Sequence, residues 1–130
     1  MVSRTVNGKL TGFTFVEVMV VLAIVALLLT IALPRYFSGL DRAKEAILHQ
    51  DLMIMRDAID HYHADKGYYP YSLDALVAEK YLRDIPADPI TEQKDSWIIV
   101  PLPDYSIGVY DIQSGAEGMS SDGSSYYSDW

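Results

Sequence analysis

One apolar run limits what this chain can become. From Phe13 to Leu33 it reads FTFVEVMVVLAIVALLLTIAL, preceded by Gly12 and carrying a single charge at Glu17. As a helix rising about 1.5 Å per residue it spans roughly 30 Å, the thickness of a bilayer's hydrocarbon core. A helix that is apolar all round must be covered by lipid or protein. A lone acid within it costs up to about 2.5–3.5 kcal/mol at the membrane centre and less toward an end. Glu17 is therefore a candidate functional residue whose partner has to be found.

The rest of the chain is polar and acidic. Eighteen Asp and Glu against ten Lys and Arg leave a net charge of −8. No Lys/Arg cluster is present to displace counterions from phosphates, so nucleic acid is not among the expected partners. There is no cysteine, which excludes disulfide staples, thiolate catalysis and Cys-based zinc sites. No Ser-His-Asp spacing, P-loop, Rossmann glycine pattern or HExxH occurs, so an enzyme is not expected. Acid pairs such as Asp57/Asp60 and Asp84/Asp88 read as solvated charge. His61 and His63, two apart, do not share a helix face and are not a metal pair.

Residues 1–12, MVSRTVNGKLTG, are short and basic through Arg4 and Lys9. Basic residues stay cytoplasmic, which places the N-terminus inside and the acidic remainder outside. Arg35, Arg42 and Lys44 on the far side weaken that asymmetry. A secretory signal would have an apolar core of about 7–15 residues ending in a small-x-small cleavage site. This run is longer, contains an acid, and ends in Ile31-Ala32-Leu33-Pro34. By hydropathy alone a plain single-pass anchor fits equally, with Glu17 snorkelling to the headgroups.

The stretch KLTGFTFVEVMVVLAIVALLLTIALPRY resembles the class III signal of type IV pilins and of the pseudopilins of type II secretion. Phe15, Val16 and Val18 stand where Leu or Ile is commoner. The resemblance implies that a prepilin peptidase cuts between Gly12 and Phe13 on the cytoplasmic side and methylates the new N-terminus. Residues 1–12 are then a leader peptide and 13–33 a membrane and filament-core helix. It also implies that Glu17 pairs with the amine of Phe13 in a neighbouring subunit, setting register during assembly. Implied partners are further copies in a filament, the prepilin peptidase, an inner-membrane assembly platform and minor pseudopilins. The implied location is the bacterial inner membrane in a single pass, then a periplasmic or extracellular filament.

Pro34 and then Ser38-Gly39 are expected to kink or locally melt the helix. Beyond them, Leu48, Leu52, Met55, Ile59 and Tyr62 recur at helical spacing, flanked by Ala43, Ile47, Ile54 and Ala58. Residues 34–66 thus read as an amphipathic continuation ended by Lys66-Gly67. Region 67–130 reads as a small α+β part. Ser72 caps a short helix with Leu73, Leu76 and Val77 inward. Tyr81-Leu82 and Ile85-Pro86 add core contacts, and Asp88-Pro89 marks a turn. Trp97–Val100 and Tyr105–Ile112 form an antiparallel hairpin interrupted at Pro101. The fold class is α+β: a long N-terminal helix packed on a small antiparallel sheet, pilin-like.

YYPYSLDALV, YLRDIPADP and GVYDIQSGAEG…DW resemble the major pseudopilin of type II secretion. That group binds calcium near its C-terminus, which would fall here to Glu117, Asp122 and Asp129 in a Gly/Ser-rich loop, with Glu117 where Asp is usual. Ca²⁺ takes 6–8 oxygen ligands. The alternative is a metal-free turn anchored by Tyr126, Tyr127 and Trp130. Two functions stay open: a filament subunit for secretion or a surface pilus, and a monomeric membrane-anchored binding domain.

Overall fold

The computed structural model of the protein describes residues 1–3, 8, 11–104 and 106–130. Arg4 and Lys9, on which the charge asymmetry rests, and Tyr105, expected to open a strand, lie outside the described residues. Contacts divide the chain into two units, Met1–Phe37 and Ser38–Trp130.

Helix α1, Phe15–Lys66, belongs partly to each unit. It does not melt at Pro34 or at Ser38-Gly39. Proline's fixed φ is itself helical, so what is lost there is one hydrogen bond rather than the helical path. In the first unit every residue from 13 to 37 is exposed. Thr30 Oγ1 donates to the Ala26 carbonyl at 2.8 Å, which satisfies a hydroxyl that apolar surroundings would otherwise strand.

In the second unit α1 buries the expected stripe: Leu48, Leu52, Met55, Ile59 and Tyr62, with Ala58. Ala43, Ile47 and Ile54, expected to flank it inside, are exposed instead. The remaining elements are too small to cover more than one narrow face of the helix. The helix stops where Gly67 takes φ +76 and donates its N–H to the His63 carbonyl at 2.8 Å, a left-handed cap that glycine adopts without a Cβ penalty.

Helix α2, Leu73–Ala78, begins as expected: Ser72 Oγ accepts the Ala75 N–H at 3.3 Å. Leu73 and Leu76 are buried, and Val77, Tyr81 and Ile85 pack at the edge of the core with Leu82 inside it. Strands β1, Ile98–Val100, and β2, Asp111–Gln113, pair antiparallel with Ile99 opposite Ile112. The hairpin is present, but its second strand starts later than its β-rich sequence suggests. The Tyr110 N–H still donates to the Val100 carbonyl of β1 at 3.0 Å, and the residue before it turns away: the Val109 N–H donates to the Pro70 carbonyl at 2.8 Å, outside the sheet.

Arg56 locks helix to sheet. Its Nε donates to Asp111 Oδ1 and an Nη to the Ile112 carbonyl, both at 2.8 Å. Past β2 the chain runs hard against the segment that leads into β1: a Cβ on Gly115 would stand 1.8 Å from the Ser96 carbonyl oxygen, so only glycine fits.

Asp88 overturns the reading of Asp84/Asp88 as solvated charge. Asp84 is exposed and pairs with Lys94, but Asp88 is 0% exposed. Its Oδ1 accepts the N–H groups of Ile90 and Thr91 at 2.8 and 3.3 Å, and its Oδ2 accepts the Ser114 hydroxyl at 2.5 Å. A buried carboxyl needs such donors. It fastens the turn after Pro86 to the end of β2.

Candidate functional site

The first site lies at the head of α1. Gly12 and Phe13 are exposed and outside the helix, which starts at Phe15. What fixes that start is reciprocal. Glu17 Oε2 accepts the Thr14 N–H at 2.9 Å, and Thr14 Oγ1 accepts the Glu17 N–H at 3.2 Å. This is a capping box, in which two otherwise orphaned N–H donors at a helix end are satisfied. The signal was readable in Thr14-Phe15-Val16-Glu17, although Glu17 draws notice first as a charge in an apolar run.

Two chemical properties follow. The Gly12–Phe13 peptide bond sits in non-helical backbone with open space around Gly12, where no atom would come within 4 Å of an added Cβ. Proteolysis needs such exposed, unpaired backbone. Phe13 and Glu17 also share a face: with Val18, Val21 and Leu22 they line a shallow hollow of about 280 Å³. An amine created at Phe13 would be one residue from the N–H that Glu17 already holds.

The helix behind this head is long and apolar enough to cross a membrane, with a mean hydropathy of 2.9 over its most apolar window and none of that window buried. Among the described residues, the large apolar side chains from Val16 to Leu33 are all exposed.

The second candidate, the acids Glu117, Asp122 and Asp129, is arranged differently from expectation. Among the described residues no group of three or more His, Asp or Glu converges as metal ligands do. Glu117 and Asp129 are exposed. Asp122 Oδ1 accepts the Ser120 hydroxyl at 2.5 Å and the Ser124 hydroxyl and N–H at 2.7 and 2.9 Å. These bonds, that from Ser120 foremost, hold the Asp122 carboxyl down at about 2.

Glu45, on α1, was not legible as a site residue. Its Oε1 accepts the Ser121 N–H at 2.5 Å and the Tyr127 hydroxyl at 2.9 Å, and its Oε2 accepts the Ser121 hydroxyl at 2.8 Å. Burial pushes the Glu45 carboxyl upward, but the bonds from Ser121 and Tyr127 outweigh it and the group lies below its usual value. Burial, and then the bond to Glu45, push the Tyr127 phenol up to about 12. Neither His61 nor His63 is drawn into a shared site. His61 Nδ1 lies 2.7 Å from the Asp57 carbonyl, and His63 stacks on Tyr69.

Comparison with known proteins bears on the first site. Residues 10–33 match the family model described as the prokaryotic N-terminal methylation motif. The chain is 29% identical to type II secretion system core protein G of Vibrio cholerae serotype O1, across 88% of this chain and 90% of that protein. It is 32% identical to the core protein G of Pseudomonas aeruginosa, across 61% of this chain and 67% of that protein. The chain belongs to this type IV pilin-like family. Within the family its likeness extends to the competence protein ComGC of Halalkalibacterium halodurans, 34% identical across 55% of this chain and 70% of that protein. No solved structure matches the chain. The matched motif spans Gly12, Phe13, Thr14 and Glu17 together, so the family's signature coincides with the capping box and the exposed bond beside it.

Proposed function

We propose that this chain is the subunit of a helical filament, a pseudopilus, that drives type II protein secretion. One observation carries the reading. Among the described residues none of the apolar half of α1 is buried, yet it starts from a structured head that holds a carboxyl group. Such a helix needs other apolar neighbours, first lipid and then further copies. A head-to-tail interface that does not close on itself turns copies into a helical fibre.

In this reading the precursor sits in the bacterial inner membrane with its N-terminus cytoplasmic. A prepilin peptidase cuts after Gly12 and methylates Phe13. Glu17 then exchanges the Thr14 N–H for the amine of a neighbouring subunit, which sets register. The assembly platform and minor pseudopilins are the remaining partners. In this reading the chain is the substrate of an enzyme.

Mass spectrometry tests the processing: the chain recovered from a strain with the peptidase should begin at N-methylated Phe13. Recovery of intact Met1 refutes it. Glu17→Ala should insert into membranes normally but fail to form filaments; normal filaments from that variant reject the register role. The likeness to a competence protein favours one second reading, a subunit of a different pilin-like fibre. Deletion of the chain separates the two: unchanged export of secreted proteins would favour the second.

A further inference from the structure

We propose that the C-terminal loop of this subunit is closed by Glu45 of α1 in place of a calcium ion, so that its fold does not depend on calcium. The family resemblance implies a cation held by Glu117, Asp122 and Asp129, and the donor set present does not fit one.

The sign of the hydrogen-bonding groups decides this. A cation needs the loop to turn oxygen lone pairs toward a common point. This loop turns its donors inward instead. The Ser121 N–H, the Ser121 hydroxyl and the Tyr127 hydroxyl all point at Glu45, 76 and 82 residues earlier in sequence. One carboxylate group thereby ties two parts of the loop to the helix, which is the task a bridging ion performs elsewhere.

Asp122 is occupied in the same way. Its Oδ1 receives two hydroxyls and one N–H from Ser120 and Ser124. For a cation to bind at Oδ1, those donors would first have to turn away. The backbone is also committed: Ser120 N–H donates to the Ser125 carbonyl, and Gly123 N–H to the Ser120 carbonyl, both at 2.8 Å. The end of the chain is pinned independently. Trp130 Nε1 donates to Ser125 Oγ at 2.7 Å, and its ring stacks on His49 of α1 at 3.9 Å and 14°. Helix α1 thus holds the loop at two points one turn apart, Glu45 and His49.

The inference is independent of the filament reading, because its readout is folding. Thermal unfolding of the full-length chain in detergent micelles, followed by near-ultraviolet dichroism, is measured with excess Ca²⁺ and with a chelator. The two midpoints should coincide, and Glu45→Gln should lower both by about 4–8 °C, the shift for a small domain losing about one strong contact. A wild-type midpoint that rises with calcium and falls with chelator overturns the inference. So does a Glu45→Gln midpoint equal to wild type. Should Glu45→Gln not fold, Tyr127→Phe and Ser121→Ala each remove one donor. Each should then lower the midpoint below that of wild type, irrespective of calcium; wild-type midpoints in both variants overturn it equally.

Discussion

Asp88 is the most exacting test of how the second unit holds together. Replacing it by Ala removes the acceptor for three donors at once: Ile90 N–H, Thr91 N–H and the Ser114 hydroxyl. Ser114 is fully buried, so water cannot replace its lost partner. A buried donor left without an acceptor costs about 1–3 kcal/mol, and each backbone bond reached by water about 0.5–1.5 kcal/mol. The sum is about 2–6 kcal/mol, a large part of the roughly 5–15 kcal/mol that stabilises an ordinary domain. Asp88→Asn keeps an oxygen toward Ile90 and Thr91 and presents an amide to Ser114 Oγ, so its loss should be nearer 1 kcal/mol. Urea unfolding of the full chain in micelles, read from near-ultraviolet dichroism dominated by the tryptophans, gives the comparison. Trp97 is a good reporter, because its Nε1 donates to the Pro86 carbonyl two residues before Asp88. With a slope of about 1–3 kcal/mol/M, a loss of 3 kcal/mol moves the midpoint by about 1–3 M while leaving the slope unchanged. Pairing Asp88→Ala with Ser114→Ala should give a coupling of at least about 1 kcal/mol. An Asp88→Ala midpoint within error of wild type would refute the account of Asp88 as the fastener between the turn and β2.

Two further outcomes are expected. Leu52→Ala, at a site 1% exposed, should cost about 2–5 kcal/mol, and Ile54→Ala, 46% exposed, about 0.5 kcal/mol or less; equal losses in urea unfolding would reject the assigned helix face. The loop should also loosen in acid. Glu45 and Asp122 lie below their ordinary values, so their contribution is complete above about pH 4.5 and is lost as pH falls toward 2. Asp51, pushed up by burial and by the Asp88 charge, acts in the opposite sense, whereas Asp84, held down by Lys94, and Asp104, held down by Ser106, act in the same sense as the loop acids elsewhere in the unit. Tyr127 sets the alkaline limit: the stabilisation it gives is intact below pH 10 and fades as pH rises toward 12. Arg42 and His49 line the same hollow and Asp41 acts on Tyr127, so each contributes to the local field. The indole N–H resonance of Trp130 should report the acid transition; an unshifted, protected signal at pH 2 would contradict it.

The parts of this fold legible in the sequence are those with a strong local signal. Leu48 to Tyr62 follow the helical period, Gly67 ends the helix and Ser72 starts another, because each acts on its own few neighbours. Ile47 and Ile54 misled, since periodicity gives the centre of an apolar face but not how much partner surface exists to cover it. The point where the chain turns out of the hairpin, Val109, is set by its bond to Pro70, far apart in sequence. Asp88 looked like one acid among many, because its donors come from Ser114 and a turn that only folding brings near. Glu45 was silent for the same reason. At the head of α1 the opposite held: Gly12, Phe13 and Glu17 were prominent, and Thr14 needed only the capping spacing to join them.

The bare first part of α1, from Phe15 to Phe37, has a thermodynamic consequence. Lipid tails are as apolar as leucine, so moving this helix from a bilayer into a bundle of its own kind exchanges one oily neighbour for another. Little water is released by the transfer, and the hydrophobic effect that folds the second unit gives the journey almost no direction. On the proposed filament reading, growth is then driven from outside the subunit, by applied work and by the fit of side chains. A rod built on such helices behaves less like cement than like a piston running in oil.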